Sequence, residues 1–343
     1  MMPDLSKLRD WLNAAVQVPL LDVRSPGEFE HGHIPGAVSF PLFSDEERAE
    51  VGTVYKQVSK ESAVELGLRF VGPKMEQFVL NAKQIAPEKK VLVHCWRGGQ
   101  RSASMAWLLK TAGFEAEVVP GGYKSYRQMV QDGLQNTPLK LLVLGGQTGS
   151  GKTKILHKMA EYGEQVIDLE GLANHKGSAF GAIGERPQPS VEQFENDLFS
   201  KILSLDLSKR VWLENESHSI GRVFIPEGFW AKLRNAPLVN IQIPLEARIN
   251  NLLEDYVLEH KQDLVNSFQK IDKKLGGLEF KKALEALENN DFATAAKIAL
   301  VYYDKTYQYG LENNSAPSIQ QLAFEKGDAG EIARRLMELG FYS

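Results

Sequence analysis

Two short stretches of this chain hold residue types that could do chemistry. The first surrounds the single cysteine: Val91-Leu-Val-His-Cys95-Trp-Arg97-Gly98-Gly99-Gln100-Arg101-Ser102. An apolar run delivers Cys95 into a glycine-containing loop, and the pattern predicts a helix beginning near Ser102. A thiol there faces loop N–H groups, a helix N-terminus and the charges of Arg97 and Arg101, all of which favour the thiolate. A thiolate so held attacks sulfur, selenium, phosphorus or arsenic centres. Cys95, Arg97 and Arg101 are therefore the catalytic candidates, with Gly98, Gly99, Gln100 and Ser102 shaping the anion loop. The bland alternative is an inert cysteine ending a core strand. Two arginines and two glycines within six residues argue against it.

The second stretch is Gly146-Gln-Thr-Gly149-Ser150-Gly151-Lys152-Thr153, which fits the phosphate-loop pattern G-x-x-x-x-G-K-[ST] at every fixed position. Its surroundings fit as well: LKLLVL reads as a strand entering the loop and KTKILHKMAEY as a helix leaving it. Glycines let successive N–H groups turn toward one anion, and the helix N-terminus adds its dipole. Lys152 is placed to reach terminal phosphate oxygens, and Thr153 to hold Mg2+ where one accompanies the phosphates. The signal points to a diphosphate without saying which. A partner acid is expected at the end of a later strand. Arg210-Val-Trp-Leu-Glu214-Asn-Glu216 offers Glu214 and Glu216, and Asp168 ends the strand before it; acids also end many strands for no chemical reason. His31 and His33 could pair on a metal, but no cluster of acids or cysteines completes the set. Structural roles and no metal site are expected there.

The elements that must position these loops follow from periodicity. Strands are predicted at Pro19–Val23, Lys90–His94 and Glu115–Val119, and helices at Glu61–Ala82, Ser102–Ala112 and Tyr123–Leu134. Alternation of this kind implies a parallel sheet covered on both faces. Gly133–Pro138 reads as a linker. Strands then recur at Leu139–Leu144, Gln165–Asp168, Arg210–Glu214 and Leu238–Ile243, and beyond Pro244 the pattern is helical with no further convincing strand. The fold class expected is α/β, with three segments: residues 1–135 around the cysteine loop, 136–245 around the phosphate loop, and a helical region 246–343 packed on the latter.

Composition narrows the function classes. The chain has 343 residues, 43% hydrophobic and 24% charged, with 40 Lys+Arg against 44 Asp+Glu. A net charge of -4 excludes wholesale polybasic binding to nucleic acid or membrane, though not a local stripe. One cysteine excludes a disulfide framework and a CxxC redox pair. The opening MMPDLSKLRDWLNAA is not expected to act as a signal peptide, and no apolar run is long enough to span a membrane. A cytoplasmic, monomeric protein is the simplest expectation.

Further motifs point to known families. Cys95 and Arg101 have the C-x5-R spacing of cysteine phosphatases, one residue longer than the loop usual in sulfur-transferring rhodanese domains. Leu21-Asp22-Val23-Arg24, Glu28-Phe29 and Gly32-His33-Ile34-Pro35-Gly36-Ala37 resemble the opening motif of rhodanese domains. Pro120-Gly121-Gly122-Tyr123-Lys124 resembles the rhodanese turn beside the cysteine loop, where Lys124 and Arg127 could add positive potential. A rhodanese-like domain followed by a phosphate loop, together with HCWRGGQRSASMAWLL, resembles the tRNA 2-selenouridine synthases over nearly the whole chain. Gly52–Gln57, His175–Gly181, Gln188–Asn196 and Glu214–Gly221 carry the same resemblance in polar stretches that core packing would not dictate.

The resemblance implies an enzyme acting on tRNAs for Lys, Glu and Gln that carry 2-thiouridine at the wobble position. It implies S-geranylation by geranyl diphosphate, then replacement of the S-geranyl group by selenium from selenophosphate. Cys95 matches the family's essential cysteine and would carry selenium as S-selanylcysteine. The phosphate loop would then take the diphosphate of geranyl diphosphate. For the helical region, Arg248 is expected to close over phosphates, and Tyr302, Tyr303, Tyr307 and Tyr309 either stack on bases or fill core. The rival reading is a sulfurtransferase or cysteine phosphatase fused to a regulatory nucleotide-binding domain, which leaves the polar family-like segments unexplained.

Overall fold

The structure, a computed structural model, describes residues 18–256 and 261–340. The opening residues read above for a signal peptide lie outside the described residues. The chain divides into two compact units, Met1–Gly133 and Leu134–Ser343.

The first unit is a four-stranded parallel sheet of β1 (Leu20–Asp22), β2 (Val38–Ser39), β3 (Lys90–His94) and β4 (Glu115–Val118), in the order β2-β1-β3-β4. The central strand β3 is buried from Val91 to His94, as a strand with both faces covered must be. Its core joins Leu21, Val23, Val91 and Val93 to Met105 and Leu109 of the helix Gln100–Thr111, and Cys95 is a buried member of that cluster. The helix expected at Glu61–Ala82 is two helices, Lys60–Val71 and Met75–Ile85, joined by a 3-10 turn at Gly72–Lys74. Pro73 is the cause: it donates no N–H and its ring disfavours helical backbone before it. The linker is also shorter than expected, because the helix beginning at Gly122 continues to Asn136 before Pro138 stops it.

The second unit holds a five-stranded parallel sheet. Its strands are β5 (Lys140–Gly146), β6 (Gln165–Ile167), β7 (Arg210–Glu214), β10 (Leu238–Gln242) and β11 (Ile319–Ala323), ordered β11-β10-β5-β7-β6. A small antiparallel hairpin, β8 (Ser219–Ile220) with β9 (Val223–Phe224), stands apart from it. Strand β11 corrects the expectation that nothing after Pro244 is extended. Ile-Gln-Gln-Leu-Ala is an edge strand paired with β10 alone, so only alternate residues face the protein and no apolar run announces it. The region after Pro244 is thus mostly helical, yet it completes the sheet. Its helices Lys261–Gln269, Gly277–Glu288 and Phe292–Glu312 build a separate apolar cluster around Phe180, Phe268, Leu287 and Ala299.

Candidate active-site loops

Cys95 follows the last residue of β3 and is 3% exposed. The loop after it is held from below by the turn at Gly121–Gly122. Tyr123 N–H donates to the Cys95 carbonyl and Lys124 N–H to the Trp96 carbonyl, each at 2.9 Å. Gly122 has φ +57, and a Cβ there would lie 2.3 Å from the Cys95 carbonyl oxygen, so only glycine permits this approach. With those carbonyls tied down, the loop N–H groups are left for the sulfur and whatever it meets. Ser102 Oγ lies 3.3 Å from Cys95 Sγ and 3.0 Å from the Gly99 carbonyl. Burial pushes the thiol pKa up, but Ser102, the N–H groups of Arg97 and Ser102 and the Arg101 charge outweigh it, and the net shift is downward.

The two arginines differ in what they do. Arg101 donates to Glu28 Oε2 at 2.6 Å, so its guanidinium is held beside the loop by an acid 73 positions away. Glu28 also accepts from Ser25 N–H. Arg97 serves the sulfur through its backbone N–H, while its side chain is exposed. Gln100 and Gly99 are exposed at the start of the helix, and Gly98 turns the loop at φ +65. Beneath, Arg24 pairs with Asp22 at 2.6 Å, donates to the Gly32 carbonyl at 2.7 Å and stacks 3.8 Å above the Tyr123 ring. His94 is buried beside Asp22 and its pKa falls to about 4, burial outweighing the Asp22 charge, so it is a neutral packing residue. His33 stacks on Phe29 with ring centroids 4.0 Å apart and places Nδ1 3.0 Å from the Phe29 carbonyl. That is a structural role. Among the described residues no group of three or more His, Cys, Asp or Glu is arranged to hold a metal.

In the second unit β5 enters the loop 146–153 and the helix Lys152–Glu161 leaves it. Gly149 and Gly151 have φ +80 and +74, the turn that aims consecutive N–H groups inward. Lys152 Nζ donates to the Gly146 carbonyl at 3.1 Å, reaching back across the loop mouth. Ser150 Oγ is buried with no hydrogen-bond partner among the described residues, and a phosphate oxygen is a partner that would satisfy it. Arg248 does not face phosphate. It is 3% exposed, donates to the Thr148 carbonyl at 2.8 Å and to Gln147 Oε1 at 3.1 Å, and pairs with Asp304. Asn251 Nδ2 donates to the Gly149 carbonyl at 2.9 Å. The helix Leu245–Tyr256 therefore braces the loop from behind.

Behind the loop the acids meet. Thr153 Oγ1 donates to Glu170 Oε2 at 2.7 Å, and Glu170 N–H donates to Glu214 Oε1 at 2.8 Å. Glu214 is fully buried and its Oε2 has no partner among the described residues. Burial, then the charges of Asp168 and Glu170, raise its pKa well above the usual carboxylate range. Burial and Glu170 push Glu216 up to about 8, with Lys152 pulling the other way. Asp168 has a different duty: it caps the helix Leu169–Ala173 through Gly171 N–H at 2.7 Å and pairs with His157 at 2.7 Å.

Residues 139–338, more than half of the chain, match the family described as tRNA 2-selenouridine synthase AAA domain, and residues 4–129 match the Rhodanese-like domain family. The chain belongs to the tRNA 2-selenouridine synthase family. The tRNA 2-selenouridine synthase of Nitrosomonas europaea is 35% identical, covering 86% of this chain and 89% of that protein. Those of Bdellovibrio bacteriovorus and Sulfurovum sp. are 36% and 34% identical, the latter spanning 98% of this chain and 100% of its own. The fold expected from the motifs, a rhodanese-like parallel sheet followed by a phosphate-loop α/β domain, is the one this family carries.

Sequence reading missed three residues at these loops. Glu28 was noted only as part of the opening motif, because 73 positions separate it from the arginine it holds. Glu170 lies two residues beyond Asp168, and the strand-end rule chose the nearer acid. Asn251 stands in a helix with nothing local to mark it. Of the tyrosines, Tyr303 packs edge-on against Phe180 and Tyr307 bonds Asn240 behind the loop, while Tyr309 alone among the four is strongly exposed, at 70%.

Proposed function

We propose that this protein converts 2-thiouridine to 2-selenouridine at the wobble position of tRNAs of the Lys, Glu and Gln type, in two steps. The observation that carries the reading is Cys95, the chain's one cysteine, in an anion loop whose donors favour its thiolate. In the first step the thiocarbonyl sulfur attacks C1 of geranyl diphosphate, a C–S bond forms, the C–O bond breaks and diphosphate leaves. The N–H groups of loop 146–153, the Ser150 hydroxyl and Lys152 are suited to stabilise charge on that leaving group. Mg2+ arriving with the diphosphate would be held by Thr153 and Glu170, the hydroxyl and carboxylate already joined at 2.7 Å, and would neutralise phosphate charge.

In the second step selenium from selenophosphate replaces the S-geranyl group. A bare sulfide is a poor leaving group, whereas its alkylated form departs as geranyl thiol, which gives the first step its purpose. Selenophosphate is a tetrahedral anion, in keeping with a loop of phosphatase length. The loop N–H groups with Arg97 and Arg101 would bind its phosphate while Cys95 takes up selenium as S-selanylcysteine. The Cys95 thiolate attacks selenium, the Se–P bond breaks and phosphorus leaves with the electron pair as phosphite. The terminal selenium then bonds C2 as the C–S bond breaks and geranyl thiol leaves, and a thiol reductant cleaves the remaining S–Se bond to return the Cys95 thiolate. The enzyme is read as a cytoplasmic monomer; no described helix is long and apolar enough to cross a membrane.

The test is nucleoside mass spectrometry on a 2-thiouridine tRNA incubated with geranyl diphosphate and selenophosphate. Wild type should give 2-selenouridine, and Cys95→Ala should stop at the S-geranyl nucleoside. No change to the tRNA with either protein overturns the reading and brings phosphatase and sulfurtransferase assays forward.

A further inference from the structure

The helical cluster of the second unit borders a half-open pocket with an interior volume of about 60 Å³, and Thr148 of the phosphate loop is among the residues that line it. Its walls are apolar: Leu252 from the helix that braces the loop, then Leu264, Phe268, Leu287, Phe292 and Ala299. Among the described residues no charged side chain lines it. The hydroxyls besides Thr148 are Ser178 and Tyr303, and both are engaged. Ser178 Oγ accepts from Phe180 N–H at 3.1 Å, and Tyr303 OH accepts from Ala179 N–H at 3.2 Å and bonds Ser178. A purine or pyrimidine would bring several donors and acceptors to this wall and leave them unpaired, at a cost in binding. A hydrocarbon loses nothing there.

The same loop residues thus border two environments. Gly146, Gly149 and Lys152 serve the anion, and Thr148, between the two glycines, forms the threshold of an apolar chamber. A ligand using both has a phosphate head and an uncharged, branched or linear hydrocarbon tail. We propose that the pocket holds the hydrocarbon chain of a prenyl diphosphate whose diphosphate lies in loop 146–153. This rests on the geranylation reading and adds to it the residues that measure chain length, with Ala296 and Phe292 on the helix Phe292–Glu312 as the gauge. Both are only half-buried, so changing them disturbs the core less than changing Ala299, which is 6% exposed.

The experiment measures binding of inorganic diphosphate and of dimethylallyl, geranyl and farnesyl diphosphates to the full-length protein by calorimetry, beside tRNA geranylation. Wild type should hold geranyl diphosphate at least roughly ten-fold more tightly than inorganic diphosphate, about what burying two methylenes gives. Ala296→Phe should lose that gain while binding inorganic diphosphate as before, and Phe292→Ala should move the preference toward farnesyl diphosphate. Circular dichroism checks that both variants fold, and Phe292→Ala carries the test alone where the bulkier substitution does not. A wild type that geranylates tRNA while both folded variants keep its chain-length order overturns the pocket assignment and leaves the reaction standing. A wild type that binds geranyl diphosphate no better than diphosphate and leaves the tRNA unalkylated overturns both.

Discussion

The cysteine loop and the phosphate loop are two anion cradles built on the same plan, a parallel strand turning through glycines into a helix, but they handle protons in opposite ways. Around Cys95 the donors outweigh burial and the thiol pKa falls. The acid nearby, Glu28, is paired with Arg101, and its own pKa is lowered, the arginine outweighing burial. Behind the phosphate loop, burial wins: Glu214 and Glu216 are raised, neighbouring carboxylates add to the shift, and Lys152 opposes it only in part at Glu216. The first loop is arranged for a resident anion, the thiolate. In the second, Glu214 and Glu216 are both pushed toward the protonated form, which lessens the negative charge that the proposed diphosphate would meet beside Lys152 and the N–H groups.

The largest effect that would break this comparison is on Cys95. Replacing it with Ala should abolish 2-selenouridine formation, a loss of at least about 10³-fold, because no other group in the chain can supply the nucleophile. Geranylation should persist. If Cys95→Ala also stops geranylation, the two loops do not divide the chemistry as argued. The counterpart is Lys152→Ala, expected to lower geranylation by roughly 10²-fold through lost stabilisation of the leaving diphosphate. Alkylation of Cys95 by iodoacetamide should be unchanged. Equal loss in both assays would point to damage to the fold rather than to the loop.

A smaller effect sharpens the cysteine half. Ser102→Ala removes the hydroxyl 3.3 Å from the sulfur, so the thiol pKa should rise toward the ordinary value of about 8.5. The midpoint of the iodoacetamide rate against pH should move up by about one unit, the size expected when one hydrogen bond to a thiolate is lost. A midpoint that stays put assigns the low pKa to the backbone and Arg101 alone.

How much of this was legible beforehand depended on how far apart the interacting residues lie. The loop 146–153 and its flanking strand and helix were readable because every requirement is local and periodic. The C-x5-R spacing was equally plain. What the spacing could not convey is that Arg101 is shared with Glu28, since a contact between distant segments leaves no trace in either one alone. Arg248 illustrates a second limit: a buried arginine bracing carbonyls and an arginine gripping phosphate look the same in a sequence. Strand β11 shows a third, because an edge strand in a parallel sheet needs neither a continuous apolar run nor a turn before it. The apolar pocket is a fourth. Its walls come from helices each of which reads as ordinary amphipathic core.

The smallest predicted effect tests the proton content of the second loop directly. Burial and Glu170 hold Glu216 protonated up to about 8, against an ordinary value of 4.5. Between those values the folded protein keeps a proton that the unfolded chain has released. The stability that proton contributes is complete below pH 4.5 and is lost as pH rises toward 8, where the folded carboxyl ionises as well. The melting temperature should therefore fall between pH 5 and pH 8, and Glu216→Gln, which cannot ionise, should flatten the fall by a few degrees, roughly the span that 1 kcal/mol covers in a domain of this size. Glu214 is raised by the same causes and remains in the variant, so the slope should shrink without vanishing. Cys95→Ala supplies the control from the other loop: its lowered thiol has the opposite sign, a stability present above the ordinary thiol value and lost as pH falls through the folded one, so removing it should not flatten the fall. A Glu216→Gln protein that melts with the wild-type pH dependence would show that Glu216 is ionised in the fold. The two cradles would then differ in sequence and ligand only, and the protonated carboxylates could not be what clears the second loop for a diphosphate.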